Sequence, residues 1–247
     1  MSNTLISVKN LSVDYITDTI PIRAVRDVSF EISSGEIFGL VGESGSGKST
    51  VVQAMMRILA PPAIISGGKV IINSENIMTA TESDIIRFRW KRISIVMQSA
   101  LNALNPVLSV REQIHDVLKT HKGLVGKDAD DRAKELLSLV DIDYNRLDSY
   151  PHQLSGGMKQ RIVIAIALAI MPPIIIMDEP TTALDVIVER EIISKIIDLR
   201  KKLGFTILFI THDLNLLLEF ADRLAIMKNG EIVELDEVKN IQKGGKH

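Results

Sequence analysis

The sequence contains no cysteine among its 247 residues. This absence excludes disulfide bonds, cysteine-ligated zinc or iron–sulfur sites and a cysteine nucleophile. An excess of positive charge is also missing, since 29 Lys and Arg residues face 31 Asp and Glu residues. The resulting net charge of −2 argues against a nucleic-acid binder that works through bulk positive charge.

Long apolar runs are missing as well. The most apolar stretch, residues 162–177, is interrupted by Pro172 and Pro173, whereas a membrane-spanning helix needs about 20 apolar residues. The first residues show no basic segment followed by an apolar one, so we find no signal peptide. The sequence therefore predicts a cytoplasmic chain that reaches a membrane only through a partner.

Strand and helix patterns alternate along most of the chain, which predicts an α/β fold with a parallel sheet covered on both faces. Strand patterns occupy residues 6–15, 24–32, 37–41, 67–72, 93–97, 174–177 and 206–210, with a hairpin around Asn229-Gly230. Helical patterns occupy residues 50–59, 110–121, 128–140, 158–169, 188–203 and 214–221. The stretch 99–157 is more polar and contains no apolar run typical of a buried strand. We therefore expect an inserted helical subdomain there.

A glycine-rich loop lies between the third strand and the first helix of this pattern. Its residues match G-x-x-x-x-G-K-[ST] and are Gly42, Glu43, Ser44, Gly45, Ser46, Gly47, Lys48 and Ser49. The backbone amides of such a phosphate loop and of the following helix form a cradle for phosphate groups. We expect Lys48 to contact the β- and γ-phosphates, Ser49 to bind Mg²⁺, and Thr50 to belong to the same nucleotide site. The alternative is a glycine-rich turn that matches the pattern by chance.

A second motif is an apolar strand over residues 174–177 that ends in Asp178 and Glu179. Alone, such a junction marks only the end of a strand. Together with the phosphate loop, it indicates a P-loop ATPase in which Asp178 lies next to Mg²⁺ and Glu179 polarises the attacking water.

The third motif, which we call the signature segment, is LSGGMKQR over residues 154–161. Ser155 is a favourable N-cap, and Gly156 and Gly157 leave backbone amides exposed at a helix start, which makes a second anion site. A flexible turn before a helix is the alternative. Because one chain needs only one site for a γ-phosphate, a second site suggests that two subunits share a nucleotide.

With these motifs in this order, the chain resembles the nucleotide-binding subunit of an ABC transporter. The resemblance covers essentially the whole chain and includes the Ala-Leu-Asp run at 183–185 and His212. It implies a single domain over residues 1–247. Within it, a RecA-like P-loop core comprises residues 1–98 and 158–247 with an N-terminal antiparallel β subdomain, and the helical subdomain comprises residues 99–157.

The resemblance also implies roles for residues outside the first two motifs. Tyr15 falls where the family stacks an aromatic ring on adenine, with an ordinary strand aromatic as the alternative. Gln98 matches the glutamine that contacts Mg²⁺ and the lytic water, and His212 matches the histidine that contacts the γ-phosphate. These positions imply a working hydrolytic site that takes ATP and Mg²⁺.

The same resemblance implies a head-to-tail dimer of ATPase subunits. Ser155, Gly156 and Gly157 would contact the γ-phosphate held by the opposite subunit, and Asp185 would cross the dimer interface. The partners implied are a second ATPase subunit, identical or different, two transmembrane permease subunits and, indirectly, a substrate-binding protein. The expected location is the cytoplasmic face of the cell membrane.

Two segments make the chain similar to one branch of this family, the importers of dipeptides, oligopeptides and nickel. They are Leu-Asn-Pro at residues 104–106 and the run after Gly157, which resembles the first of the two ATPase subunits of these importers. Peptide and nickel both stay open, because other subunits choose the substrate. Many members continue into a cysteine-bearing tail, so this chain is either a short member or a truncated one, and we expect no iron–sulfur cluster. The alternative function is that of a non-transport ABC ATPase, an accessory subunit of a soluble complex.

Overall fold

The structure is a computed structural model that describes residues 4–18, 20–98, 103–182 and 184–244. Ala183 of the Ala-Leu-Asp run, residues 99–102 after Gln98 and both chain ends therefore lie outside the described residues. The strands are β1 (Thr4–Tyr15), β2 (Ile22–Ser33), β3 (Ile37–Gly42), β4 (Ala63–Ile72), β5 (Glu75–Asn76), β6 (Ile93–Val96), β7 (Ile174–Asp178), β8 (Thr206–Thr211), β9 (Arg223–Lys228) and β10 (Glu231–Glu237). The α-helices are α1 (Lys48–Met55), α2 (Glu82–Lys91), α3 (Val110–Lys122), α4 (Gly126–Leu139), α5 (Gly156–Ala167), α6 (Val186–Leu203), α7 (Leu214–Phe220) and α8 (Val238–Ile241).

The chain divides into two compact units, one formed by Met1–Arg89 with Thr206–His247 and the other by Trp90–Phe205. In the first unit, β2, β1, β4 and β5 form an antiparallel sheet in that order. The Arg23 guanidinium donates to both carboxylate oxygens of Asp14 at 2.9 and 3.2 Å, which ties β1 to β2. These hydrogen bonds from Arg23 hold the pKa of Asp14 below its ordinary value.

The first unit also contains a mixed, mostly parallel group of strands in the order β10, β9, β3, β8. Strand β3 runs parallel to both neighbours, and β9 and β10 form the predicted antiparallel hairpin through Asn229 and Gly230, both at positive φ. Every residue of β8 is buried, as expected for a parallel strand covered on both faces. Gly39 of β3 lets α7 approach, because a Cβ there would stand 2.7 Å from a side-chain carbon of Leu217.

In the second unit, β6 and β7 pair in parallel and are accompanied by α3, α4, α5 and α6. Helix α3 begins with a capping box in which Ser109 and Glu112 exchange hydrogen bonds. The Arg111 side chain of α3 bridges Asp130 on α4 and Asp148 in the following 3₁₀ turn. None of the described helices is both long and apolar enough to cross a membrane.

The predicted α/β class and the antiparallel N-terminal strands are confirmed. Helix α1 begins at Lys48, two residues before the predicted start, and ends at Met55 rather than at residue 59. The sequence does not predict helix α2. This helix buries only Ile85 and Phe88, so its apolar residues show only a weak helical periodicity. The division into a core and a 99–157 subdomain stays a prediction.

Candidate functional site

The phosphate loop connects β3 to α1 in the first unit. Gly45 and Gly47 have φ of 80° and 102°, conformations that side chains disfavour. A Cβ on Gly47 would also stand 2.6 Å from the Ala24 carbonyl oxygen, and one on Gly42 would overlap the carbonyl oxygen of Met227. The close approach of β9 and β2 therefore requires glycine at 42 and 47, and the turn itself favours glycine at 45 and 47.

Lys48 is the first residue of α1 and is almost fully buried, with 5% exposure. Its ammonium donates to the carbonyl oxygens of Gly42 and Glu43 at 2.7 and 2.8 Å, which holds it across the mouth of the loop. None of the described side chains caps the start of α1 at Gly47. A cation and the positive end of a helix therefore lie together beside the loop, an arrangement that fits a polyphosphate.

His212 lies beside this loop because the strands that precede the two, β8 and β3, pair in parallel. Thr211, the last residue of β8, is paired with Val41 of β3, so His212 and Gly42 leave the sheet side by side. This shared carboxyl edge is where open α/β sheets bind ligands. Tyr15 is half-buried at the end of β1, opposite Ile22 and next to the clamped Asp14.

In the second unit, Gln98 and Glu179 meet at the carboxyl ends of β6 and β7. Val96 pairs with Met177 in these parallel strands, so both side chains follow the same edge. The Gln98 amide Nε2 donates to Glu179 Oε2 at 3.2 Å, and the Thr182 hydroxyl donates to the same oxygen at 3.0 Å. Asp178, one residue earlier, is buried with 4% exposure.

The Glu179 backbone is held in the left-handed region, with φ of 47°. This conformation costs a non-glycine residue on the order of 1–2 kcal/mol. A turn closes over it, with the Thr182 amide donating to the Glu179 carbonyl at 3.3 Å. Backbone strain of this kind concentrates at functional sites, and here it turns the Glu179 side chain toward Gln98 and Thr182.

Two helix starts carry the remaining predicted residues. Ser155 is exposed and caps α5 by accepting the Met158 amide at 3.3 Å, so Gly156 and Gly157 occupy the first turn as predicted. Asp185 caps α6 by accepting the amides of Ile187 and Val188 at 3.1 and 3.0 Å. The Asp185 carboxylate therefore has a local structural role in addition to any role at an interface.

The predicted Mg²⁺ ligands are divided between the two units, with Ser49 in the first and Gln98 and Asp178 in the second. Their hydroxyl, amide and carboxylate oxygens are the hard donors that Mg²⁺ prefers. Among the described residues, no cluster of three or more His, Asp and Glu side chains is placed to hold a metal. The assignment of these ligands stays a prediction.

Sequence reasoning did not identify Thr182 as a contact of Glu179. A signal was present, because Thr182 follows Glu179 by three residues across Pro180, a spacing that closes a turn. It also missed that the β9–β10 hairpin supports the phosphate loop, where the Gly230 amide donates to the Ser46 carbonyl at 3.1 Å. That contact depends on tertiary structure and has no sequence signal.

Comparison with known proteins places these features in a family. The family model described as "ABC transporter" matches residues 25–182. The oligopeptide transport ATP-binding protein OppD of Bacillus subtilis is 41% identical over 240 residues, which are 96% of this chain and 67% of OppD. The dipeptide transport ATP-binding protein DppD of Haemophilus influenzae is 40% identical over 98% of this chain and 74% of its own length.

Solved structures agree with this relationship. The dimeric structure of MJ0796, a bacterial ABC transporter cassette, superposes with a TM-score of 0.84 at 31% identity and covers 94% of this chain and 98% of that one. The same cassette, in a dimeric post-hydrolysis state bound to ADP and Pi, gives a TM-score of 0.83 at 30% identity over the same shares. The chain belongs to the ABC transporter family of ATPases.

Proposed function

We propose that this chain is the ATP-hydrolysing subunit of an importer for dipeptides or oligopeptides. The support is the similarity to OppD and DppD, whose names specify oligopeptide and dipeptide transport and which match almost the whole chain. These names favour peptides over nickel. None of the comparisons favours the alternative of an accessory subunit in a soluble, non-transport complex.

The first unit supplies the phosphate-binding half of the proposed site. Lys48 would exchange its hydrogen bonds with the Gly42 and Glu43 carbonyls for contacts to the β- and γ-phosphates, while the amides of residues 43–50 surround the β-phosphate. Tyr15 would stack on adenine. Ser49, Gln98 and Asp178 would hold Mg²⁺, which when bound neutralises charge on the phosphate oxygens.

The hydrogen bond between Gln98 and Glu179 carries the hydrolytic part of the proposal. It brings together two groups from different strand ends that are both predicted to face the attacking water. Glu179 would orient this water and accept its proton, with Gln98 positioning the carboxylate and His212 donating to the γ-phosphate as negative charge develops.

We further propose that two ATPase subunits close head to tail around two nucleotides. The exposed Ser155 and the amides of Gly156 and Gly157 would donate to the γ-phosphate held by the opposite subunit. Asp185 would face the same interface. ATP favours the closed dimer because only that state uses both sites, and hydrolysis removes this difference in affinity. The second subunit is either another copy or a different ATPase.

Permease subunits are the membrane partners in this proposal, and they would keep the chain at the cytoplasmic face of the membrane. A cavity of about 380 Å³ lies within the second unit, and Trp90, Leu104, Leu108, Val117 and Val163 contribute to its wall. We assign permease contact to this surface because its lining includes residues 103–105, which follow Gln98 shortly in the chain. The predicted helical subdomain, residues 99–157, would then transmit dimer closure to the permeases.

The proposal is tested with the chain assembled with its permeases in proteoliposomes. ATP-dependent uptake of a labelled dipeptide or oligopeptide is the expected result, and ATP hydrolysis without uptake of any peptide would reject the peptide assignment. Glu179→Gln should abolish turnover while keeping ATP bound in a closed dimer. Lys48→Ala should instead weaken ATP binding itself. Normal steady-state hydrolysis by the Glu179→Gln protein would remove Glu179 from its proposed role.

A further inference from the structure

The first turns of α5 and α6 approach more closely than side chains normally permit. A Cβ built on Gly157, the second glycine of the signature segment, would stand 2.7 Å from Cγ1 of Val188. Ordinary contacts of this kind lie between 3.4 and 4 Å. The missing side chain of Gly157 is therefore what allows α5 to lie against Val188.

The contact continues one turn along both helices. Arg161, four residues after Gly157, donates to Glu191 at 2.9 Å, and Glu191 lies three residues after Val188. Residues three or four apart share a helix face, so one face of α5 meets one face of α6 over two turns. Lys195, one further turn along α6, donates to Asp141 at 2.7 Å and extends the attachment to the segment after α4.

We propose that Gly157 is a positioning residue, whose absent side chain lets α5 seat on Val188 and so fixes the signature amides relative to α6 and its cap, Asp185. The inference rests on the proposed function for what these amides bind. Glycine is then required at 157 because of a contact inside this chain. The nucleotide of the opposite subunit does not need the space that a side chain would fill.

Val188 cannot readily move out of the way. It is β-branched and helical, and such side chains hold one χ1 rotamer in about 90% of cases. Its side chain is also partly buried. Relief of an added Cβ must therefore separate the two helices by at least the difference between 2.7 and 3.4 Å. Misplacement of a reacting group by about 1 Å costs about 100-fold in rate.

Helix propensity alone predicts the opposite effect of a substitution. Replacing a helical glycine by alanine favours the helix by about 1 kcal/mol when nothing is in contact. A loss of function in Gly157→Ala would therefore come either from Val188 or from the nucleotide across the interface. These two explanations differ in what a second substitution at Val188 does.

The experiment compares ATP turnover of the transporter complex carrying wild-type chain, Gly157→Ala, Val188→Ala and the double variant Gly157→Ala/Val188→Ala. We expect Gly157→Ala to lose about 10- to 100-fold in turnover. Its ATP binding to the phosphate loop, measured with a fluorescent ATP analogue, should be unchanged. Val188→Ala alone should stay within about two-fold of wild type, and the double variant should recover at least half of the wild-type turnover, because Cγ1 is gone.

A matched control is Gly157→Ala/Val188→Thr, in which the side chain stays branched at Cβ and the overlap persists. It should remain as impaired as Gly157→Ala. Amide hydrogen exchange across α5, which needs no turnover, should be faster in Gly157→Ala and return to the wild-type rate only in the alanine double variant.

An unimpaired Gly157→Ala, an inactive double variant, or equal recovery with Val188→Thr would overturn the inference. If Gly157→Ala does not fold, the double variant decides in the same way, because recovery of folded, active protein supports the contact and its absence refutes it. A wild-type complex that hydrolyses no ATP would instead refute the proposed function. The exchange measurement would still test the contact.

Discussion

The two donors on Glu179 make Thr182 a sensitive position for testing how the carboxylate is held. Thr182→Val removes the hydroxyl that donates to Glu179 Oε2 at 3.0 Å and keeps the shape of the side chain. The Gln98 amide, at 3.2 Å from the same oxygen, remains. The carboxylate therefore keeps one of these two contacts and gains rotational freedom.

The size of the effect follows from the exposure of the pair. A hydrogen bond to a charged group contributes about 1.5–3 kcal/mol when buried, but Thr182 is exposed and water replaces part of the lost bond. The net cost of removing the hydroxyl is therefore about 1 kcal/mol. This corresponds to roughly a five-fold loss in turnover if the orientation of Glu179 limits the chemical step. Because Thr182 is not expected to touch the bound nucleotide, the KM for ATP should hardly change.

The assay is steady-state ATP hydrolysis by the transporter complex, with kcat and KM determined separately for wild type, Thr182→Val and Thr182→Ser. Serine retains the hydroxyl, so Thr182→Ser should stay close to wild type. A Thr182→Val variant with wild-type kcat would refute the reasoning, and so would an equal loss in Thr182→Ser, since that loss would come from packing.

Three further substitutions test the fold that supports the site. Asp185→Ala removes the N-cap of α6 and should lower the free energy of unfolding by about 1 kcal/mol in a urea titration, whereas an unchanged midpoint would contradict the capping role. Phe209→Ala opens a cavity in the fully buried β8 and should cost about 3–5 kcal/mol in the same assay; a loss below about 1 kcal/mol would contradict its core position. Hydrogen bonds from Ser109 lower the pKa of Glu112, so its contribution is fully present above the ordinary value of 4.5 and is lost as the pH falls through the lowered pKa. Glu112→Gln should therefore flatten the acid side of the melting-temperature profile, and an unaltered profile would show that the capping box does not titrate.

Much of the fold was predictable because the relevant signals are local. Strands β7 and β8 are short apolar runs with polar ends, and every residue in them is buried, so their pattern survives in the sequence. The hairpin at Asn229-Gly230 follows from two residues that both tolerate positive φ. The N-caps Ser155 and Asp185 are likewise local, since each accepts amides within three residues.

The features that escaped prediction depend on neighbours that are distant in sequence. Helix α2 buries only two side chains, so its apolar stripe is too narrow to separate it from a polar loop. Gly157 is recognisable as a glycine of the signature segment, but its approach to Val188 needs the packing of two helices whose contacting residues are 31 positions apart. The site residues are predicted from the order of the motifs. Their hydrogen-bond partners depend on the pairing of β6 and β7, which brings the carboxyl ends of the two strands side by side.

The strained conformation of Glu179 combines a local sequence signal with contacts that depend on the tertiary structure. Pro180 disfavours the right-handed helical region for the residue before it, which narrows the choices open to Glu179. The chain adopts φ of 47° there, against an intrinsic cost, and the turn closed by Thr182 keeps it in place. In an unstrained extended conformation, the side chain would continue the alternation of β7 and leave the position where Gln98 and Thr182 donate to one oxygen. The strain is therefore the local cost of aiming one carboxylate, and the Thr182 hydroxyl and the Gln98 amide are the contacts through which the fold compensates for it.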